Sequence, residues 1–216
     1  MSTLHIFDMD GTLVRGSACL DISRHLGQIE RVNEIEQAWS RGEVGHVAFY
    51  ELCLPLWEGL TEADVDLVFA AGEWIAGVPA VFADIATRGE YSAVITLSPQ
   101  FYADRLLAWG AGSVHGAEVY GGIPPIPEQV MTPESKIDVA TALMTRYDLG
   151  PDDVIAYGDS ASDIPLFEHL PKTVAINGSD SARSAATITY EGSDLRDAYA
   201  LAREHFIERP CAAAAD

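Results

Sequence analysis

Short apolar runs alternate along this chain with stretches of helical periodicity. Leu-His-Ile-Phe near the amino terminus is the first such run, and Tyr91 to Leu97 is the longest. Together with residues 114–119, 154–157 and 174–176, both read as buried strands, short and rich in β-branched or aromatic side chains. The first strand is placed at 4–8. Helical spacing lies between them: residues 80–87 and 101–108 end at Gly89 and Gly110, as glycine C-caps do. Ile137, Ala140, Leu143 or Met144, and Tyr147 form one stripe behind a Thr132-Pro133 start, and a further helix covers 164–170. This alternation predicts an α/β protein with a Rossmann-like parallel sheet and covering helices. In such folds sites lie beyond the carboxyl ends of the strands.

The gap between the first two strands breaks the rhythm. About 65 residues pass there without a convincing strand, and a loop of that length must carry structure of its own. Residues 17–38, 45–57 and 61–75 read as helical, the last opened by Thr61-Glu62-Ala63-Asp64, a capping box with Asp in place of Glu. The expected organisation is a core of 1–14 and 78–210, a small inserted helical domain at 15–77, and a frayed tail at 211–216. Trp39, Phe49, Tyr50, Trp57 and Trp74 are expected to fill mostly the insertion's core, with one or two touching a ligand. The stretch 120–127 holds three prolines, too many for a central strand, and reads as a turn or a short flap near the site.

Candidate chemistry collects at the predicted strand ends. Asp8-Met9-Asp10-Gly11-Thr12 puts two carboxylates one strand period apart, where both can address one small volume. Two acids this close repel unless one is protonated or a cation lies between them. A divalent, oxygen-seeking ion such as Mg²⁺ resolves the conflict. Gly11 allows a sharp turn, and Thr12 adds a hydroxyl. Residues 91–97 end at Ser98-Pro99, where Ser98 is expected to cap a helix and offer its hydroxyl to an anion. Lys136 stands in a first helical turn, against the local dipole. The last buried run breaks at Gly158 into a loop carrying Asp159 and Asp163.

These four elements, in this order, resemble the signatures of the haloacid dehalogenase (HAD) superfamily of phosphohydrolases. The resemblance implies the HAD fold with a C1-type helical cap, and hydrolysis of a phosphomonoester through an aspartyl phosphate. Asp8 would be the nucleophile and Asp10 the general acid and base. Asp8, the Asp10 backbone carbonyl and Asp159 would hold Mg²⁺. Thr12, Ser98, Pro99, Lys136, Ser162 and Ser17 would line the substrate site, Ser98 and Lys136 binding phosphoryl oxygens. Asp163 would orient Lys136 or a metal-bound water.

Residues 96–102 and the run from Gly158 to Glu168 are similar to the phosphoserine-phosphatase-like subfamily. Two departures bear on the substrate. Relatives that bind phosphoserine place a Glu where Ser17 stands, and an Arg in the cap stretch that here reads Phe49 to Trp57 without one. Losing both charged contacts argues against L-phosphoserine and for an uncharged small phosphomonoester.

Composition narrows the setting. With 216 residues the chain holds one α/β core plus a small insertion. Its net charge of −20 argues against nucleic acid and anionic membranes as partners. A small phosphorylated metabolite is the expected partner, with the protein a monomer or homodimer. Cys19, Cys53 and Cys211 are too few and scattered for a disulfide framework, and no run spans a bilayer. A cytoplasmic location follows. Two other functions keep the same residues: a phosphotransferase or mutase using the same aspartyl phosphate, and a non-catalytic phosphate-binding protein.

Overall fold

The computed structural model describes residues 2–208; the expected tail at 211–216, with Cys211, lies outside the described residues. Its strands are β1 (Leu4–Phe7), β2 (Val14–Arg15), β3 (Glu73–Trp74), β4 (Tyr91–Pro99), β5 (Ser113–Ala117), β6 (Val154–Gly158), β7 (Thr173–Ile176) and β8 (Ile188–Tyr190). Six of them form one sheet in the order β5-β4-β1-β6-β7-β8, and every pairing in it is parallel. The chain runs outward from β1 through β4 to β5, then returns past β1 to β6. The order therefore reverses at β1, and a crevice opens there beyond the strand ends.

The helices are α1 (Ala18–His25), α2 (Ile29–Ser40), α3 (His46–Cys53), α4 (Glu62–Ala71), α5 (Val78–Thr87), α6 (Gln100–Ala103), α7 (Pro133–Tyr147), α8 (Ile164–His169), α9 (Asp180–Ala185) and α10 (Leu195–Arg203). The first four occupy the long gap, as expected, but the stretch 17–38 is two helices. Gly27, with φ 71°, turns the chain between them. The Thr61–Asp64 capping box forms and starts α4. Residues 101–108 are divided between α6 and a 3₁₀ segment, which ends at Gly110 with φ 97°.

Two expectations need correcting. The gap is not free of strands: β2 and β3 pair antiparallel, Val14 with Trp74 and Arg15 with Glu73. Two residues a side give no periodicity to read. The sixth sheet strand, β8, was also missed; it is three half-exposed or exposed residues at an edge.

Both faces of the sheet are covered, so β1 is buried throughout. Leu4 and Ile6 pack with Ala140 and Leu143 of α7 and Leu166 of α8. Phe7 packs on the other side, against Phe82 of α5 and Tyr157 of β6. Each such side chain contributes roughly 1.5–3 kcal/mol by leaving water. His5 shares the Phe7 face and needs partners there. Its Nδ1 meets the Tyr157 hydroxyl at 3.0 Å and its Nε2 meets Glu90 at 3.1 Å. Arg203 of α10 donates to Glu90 at 2.7 Å and to the Tyr199 hydroxyl at 3.0 Å, closing a polar network inside an apolar layer.

Candidate active site

Strand alternation decides what Asp8 meets. Leu4 and Ile6 face α7, and Asp8 continues that series. The Asp8 N–H still bonds the Tyr157 carbonyl at 2.8 Å, one step past the end of β1. At the start of α7, Thr132 and Ser135 form a capping box, which fixes the first turn and brings Lys136 inward. Lys136 is fully buried. Its Nζ donates to Asp8 Oδ1 at 2.7 Å and to Asp163 Oδ1 at 2.6 Å. The other Asp163 oxygen accepts from the N–H groups of Asp159 (2.9 Å) and Ser160 (3.2 Å). Asp163 is thereby fully engaged and pins both Lys136 and the loop after β6.

Three carboxylates surround one ammonium. Asp8, Asp159 and Asp163 bring oxygens within 4.8 Å of one another. Burial pushes the Asp8 carboxyl up while Lys136 opposes it, and the neighbouring acids add to the rise. Burial would depress Lys136, but Asp163 and Asp8 outweigh it, so the ammonium stays charged. Asp159 is pushed up to about 7, by burial first and then by Asp163. The cluster is a crowded set of hard oxygen donors, with Asp8 and Asp159 raised in pKa by their own burial and by the neighbouring acids. Asp8 and Asp159 both have an oxygen not engaged by Lys136, and such a donor set fits a divalent cation of the Mg²⁺ kind. Asp163 is the third acid of the group, and the Asp10 carboxylate is not among them.

The Asp10 carboxylate turns the other way. Its Oδ1 accepts from the Ala18 N–H at the start of α1, at 3.1 Å, and its Oδ2 accepts from the Ser98 hydroxyl. Burial raises Asp10 to about 6 against both bonds. Ser98 does not cap a helix as the sequence suggested. β4 runs on through Pro99 and the helix begins at Gln100, because the pairing of Pro99 with Ala117 extends the ladder.

A cavity of about 160 Å³ opens above these groups. Asp8, Asp10, Ser98, Ser17 and Ser162 line it, so five of the predicted residues converge. The others stand behind the wall. Thr12 donates its hydroxyl to Asp159 at 3.4 Å, and Pro99 is buried in β4. Arg41 is paired with Glu43 on the surface, and Arg15 lines a separate outer cleft. The stretch 120–127 does not line the cavity. It leans on the helical segment instead, with the Gly122 N–H on the Leu54 carbonyl at 2.8 Å.

The opposite wall holds two residues that sequence reasoning missed, Glu36 and His46, beside Trp39, Phe49 and Tyr50. Three of the five aromatics singled out therefore touch it; Trp57 is core, and Trp74 packs on Trp109. A sign of Glu36 was present in the pattern: with Val32, Ile35 and Trp39 it falls on the inner stripe of α2, where an acid is out of place.

An acid-rich pocket at the carboxyl ends of a parallel sheet, with a buried lysine beneath it and helices above, is the layout of an α/β enzyme site. Residues 6–168 match the family model of haloacid dehalogenase-like hydrolases, and the chain belongs to that family. It is 22% identical to a phosphoserine phosphatase of Idiomarina loihiensis over 199 residues, 90% of each chain. A phosphoserine phosphatase of Archaeoglobus fulgidus is also 22% identical over 188 residues, and there the match covers 85% of this chain and 55% of the relative. Among solved structures, a substrate-bound phosphoserine phosphatase superposes with a TM-score of 0.79 at 19% identity, covering 93% of this chain and 98% of its own.

Proposed function

We propose that this protein is a Mg²⁺-dependent phosphatase that hydrolyses a small phosphomonoester through an aspartyl phosphate, and that L-phosphoserine is not its substrate. The observation that carries the reading is the convergence of Asp8, Asp10 and Ser98 at the floor of one cavity, with Lys136 and Asp163 locked behind Asp8.

Burial pushes the Asp8 carboxyl up; Lys136 opposes that rise and steadies one of its oxygens, leaving the other for attack on phosphorus. Attack by that oxygen forms the P–O bond to Asp8 as the ester P–O bond breaks. Asp10 supplies the proton that the leaving oxygen takes. A carboxyl held at about 6 is protonated in part near neutral pH and suits both donation and recovery of a proton. Water then attacks phosphorus, Asp10 removes its proton, and phosphate leaves with Asp8 restored. The Ser98 hydroxyl donates to Asp10, orients it, and lines the cavity floor beside it. A cation held by Asp8 and Asp159 would supply positive charge that offsets the repulsion between anionic ester and anionic nucleophile.

Two features bear on the substrate. The cavity has room for a phosphoryl group and a short chain, being comparable to one that holds a single benzene-sized molecule of about 150 Å³. Among the described residues lining it there is no arginine, so nothing there clamps a carboxylate. The helical segment 15–77 acts as the cap that encloses the ester, over a core of 1–14 and 78–210. A cytoplasmic site of action agrees with the free, buried thiols of Cys19 and Cys53. Among the described residues no helix is long and apolar enough to cross a membrane.

The test is phosphate release from a panel of small phosphomonoesters, with Mg²⁺ or with EDTA, by the wild type and Asp8→Asn. Release that needs metal and is abolished by the substitution supports the reading. Absence of release above the Asp8→Asn background overturns it, and transfer to an added alcohol in place of water would make the protein a phosphotransferase.

A further inference from the structure

The Glu36 carboxylate has no evident place in phosphoryl transfer. It enters the cavity from α2, on the wall facing the Asp8–Asp10 floor. One oxygen accepts from the Ser17 hydroxyl at 2.7 Å, and no cationic side chain is paired with it among the described residues. Burial raises its pKa, which reports an acid short of compensation. A carboxylate taken from water and left without a counter-charge is costly unless something supplies one.

Aromatic rings stand beside it. Trp39 lies one helical turn further along α2, with Phe49 at 6.1 Å between ring centroids and Tyr50 at 5.4 Å from Phe49. Their polar atoms are already engaged: the Trp39 indole N–H donates to His46 Nδ1 at 3.2 Å, and the Tyr50 hydroxyl to the Leu97 carbonyl at 2.7 Å. His46 accepts at Nδ1 and burial lowers its pKa, so it is neutral near pH 7 and brings no positive charge. What remains on this wall is ring surface and one carboxylate. That combination attracts organic cations, through the ring quadrupoles and a charge-assisted hydrogen bond.

We propose that Glu36, with Trp39, Phe49 and Tyr50, is a subsite for an ammonium group on the substrate, which is therefore a small aminoalkyl phosphate without a carboxylate. The proposal rests on the phosphatase reading for the phosphoryl end and fixes the chemistry of the other. It also revises the uncharged substrate expected from the sequence. The Ser17 hydroxyl holds the Glu36 carboxylate against the cavity, so the wall carries a fixed acid. A carboxylate on the substrate would face Glu36 with no arginine to offset it.

The experiment compares ethanolamine phosphate and choline phosphate with their neutral counterparts, 2-hydroxyethyl phosphate and 3,3-dimethylbutyl phosphate. Phosphoglycolate serves as the anionic control and p-nitrophenyl phosphate as a general ester. Hydrolysis is followed with Mg²⁺, and binding to the wild type is measured by calorimetry in EDTA. The expected result is a preference for at least one ammonium ester of about tenfold or more in kcat/KM over its neutral counterpart, expressed mainly in KM. Phosphoglycolate should be the poorest of the small esters. In Glu36→Gln the ratio of ammonium to neutral ester should collapse toward one, and Glu36→Asp should keep part of it. The wild-type ratios decide the matter even if a variant fails to fold. Hydrolysis of p-nitrophenyl phosphate without any ammonium preference overturns the subsite and leaves the phosphatase standing. Tighter binding of an ammonium ester with no hydrolysis of any ester upholds the subsite and overturns the phosphatase. Neither hydrolysis nor preferential binding overturns both.

Discussion

Lys136 and Asp163, on different elements, are joined by a 2.6 Å ion pair that is almost wholly shielded from water. Removing the cation strands Asp163 and Asp8 together. Lys136→Met should lower stability by about 3–5 kcal/mol, a fall in melting temperature of roughly 10 °C or more in EDTA. Activity should be lost as well. Mg²⁺ should return part of the lost stability, because it supplies positive charge to the same acids. A melting curve unchanged from the wild type would refute the ion-pair account.

The acid cluster predicts metal-linked stability. Mg²⁺ at 100 times its dissociation constant should stabilise the wild type by about 2.7 kcal/mol. Asp159→Asn removes one of the two carboxylates with an oxygen to offer, so titration of this variant should show a much smaller shift. Equal shifts in both proteins would place the metal elsewhere.

Gly11 turns the chain straight after Asp10 at φ 81°, and a Cβ there would collide with the Asp159 carboxylate. Gly11→Ala combines backbone strain with displacement of a candidate metal ligand. Stability should fall by about 1–3 kcal/mol. The apparent Mg²⁺ affinity should fall too, measured as the metal concentration giving half-maximal activity. An alanine variant with wild-type metal dependence would show that the turn is more permissive than the geometry implies.

Acid sensitivity should come partly from the far side of the sheet. Burial pushes Glu90 up, but bonds from His5 and Arg203 outweigh it and hold the carboxyl at about 2, below the ordinary 4.5. An unfolded chain takes up this proton near 4.5 and the folded one only near 2. The contribution of Glu90 is therefore complete above pH 4.5 and is lost as pH falls toward 2. Glu90→Gln should be less stable than the wild type at pH 7, and urea titrations should show the gap narrowing through that window. A gap that stays constant would mean that the charge on Glu90 is immaterial.

The chain order of the site was legible because its parts are local. Asp8, Ser98 and Asp159 each follow a buried apolar run, and Lys136 sits in a helix start marked by Thr132-Pro133. Such signals need no knowledge of distant contacts. The helical segment was readable only as helical, since what its side chains face depends on how it folds back over the sheet. Glu36 meets Ser17 across 19 residues, a contact that no periodicity encodes. Ser98 misled for a related reason: Ser-Pro is a good helix start, but pairing with β5 kept the strand extended for two more residues. β2, β3 and β8 were lost because two or three residues cannot display an alternation.

The β2–β3 ribbon has a consequence for how such a protein can change. It brings the departure and return of the helical segment side by side, so the ends of that long excursion are pinned wherever its middle goes. The entropy of closing a loop grows only with the logarithm of its length, about 0.6 kcal/mol for each doubling. Residues between α1 and Glu73 can be added, removed or replaced while β1, β4, β6 and the Ala18 N–H hold the acids as before. The part of the chain that walls the cavity opposite Asp8 can thus vary at little energetic expense to the strands that carry the acids.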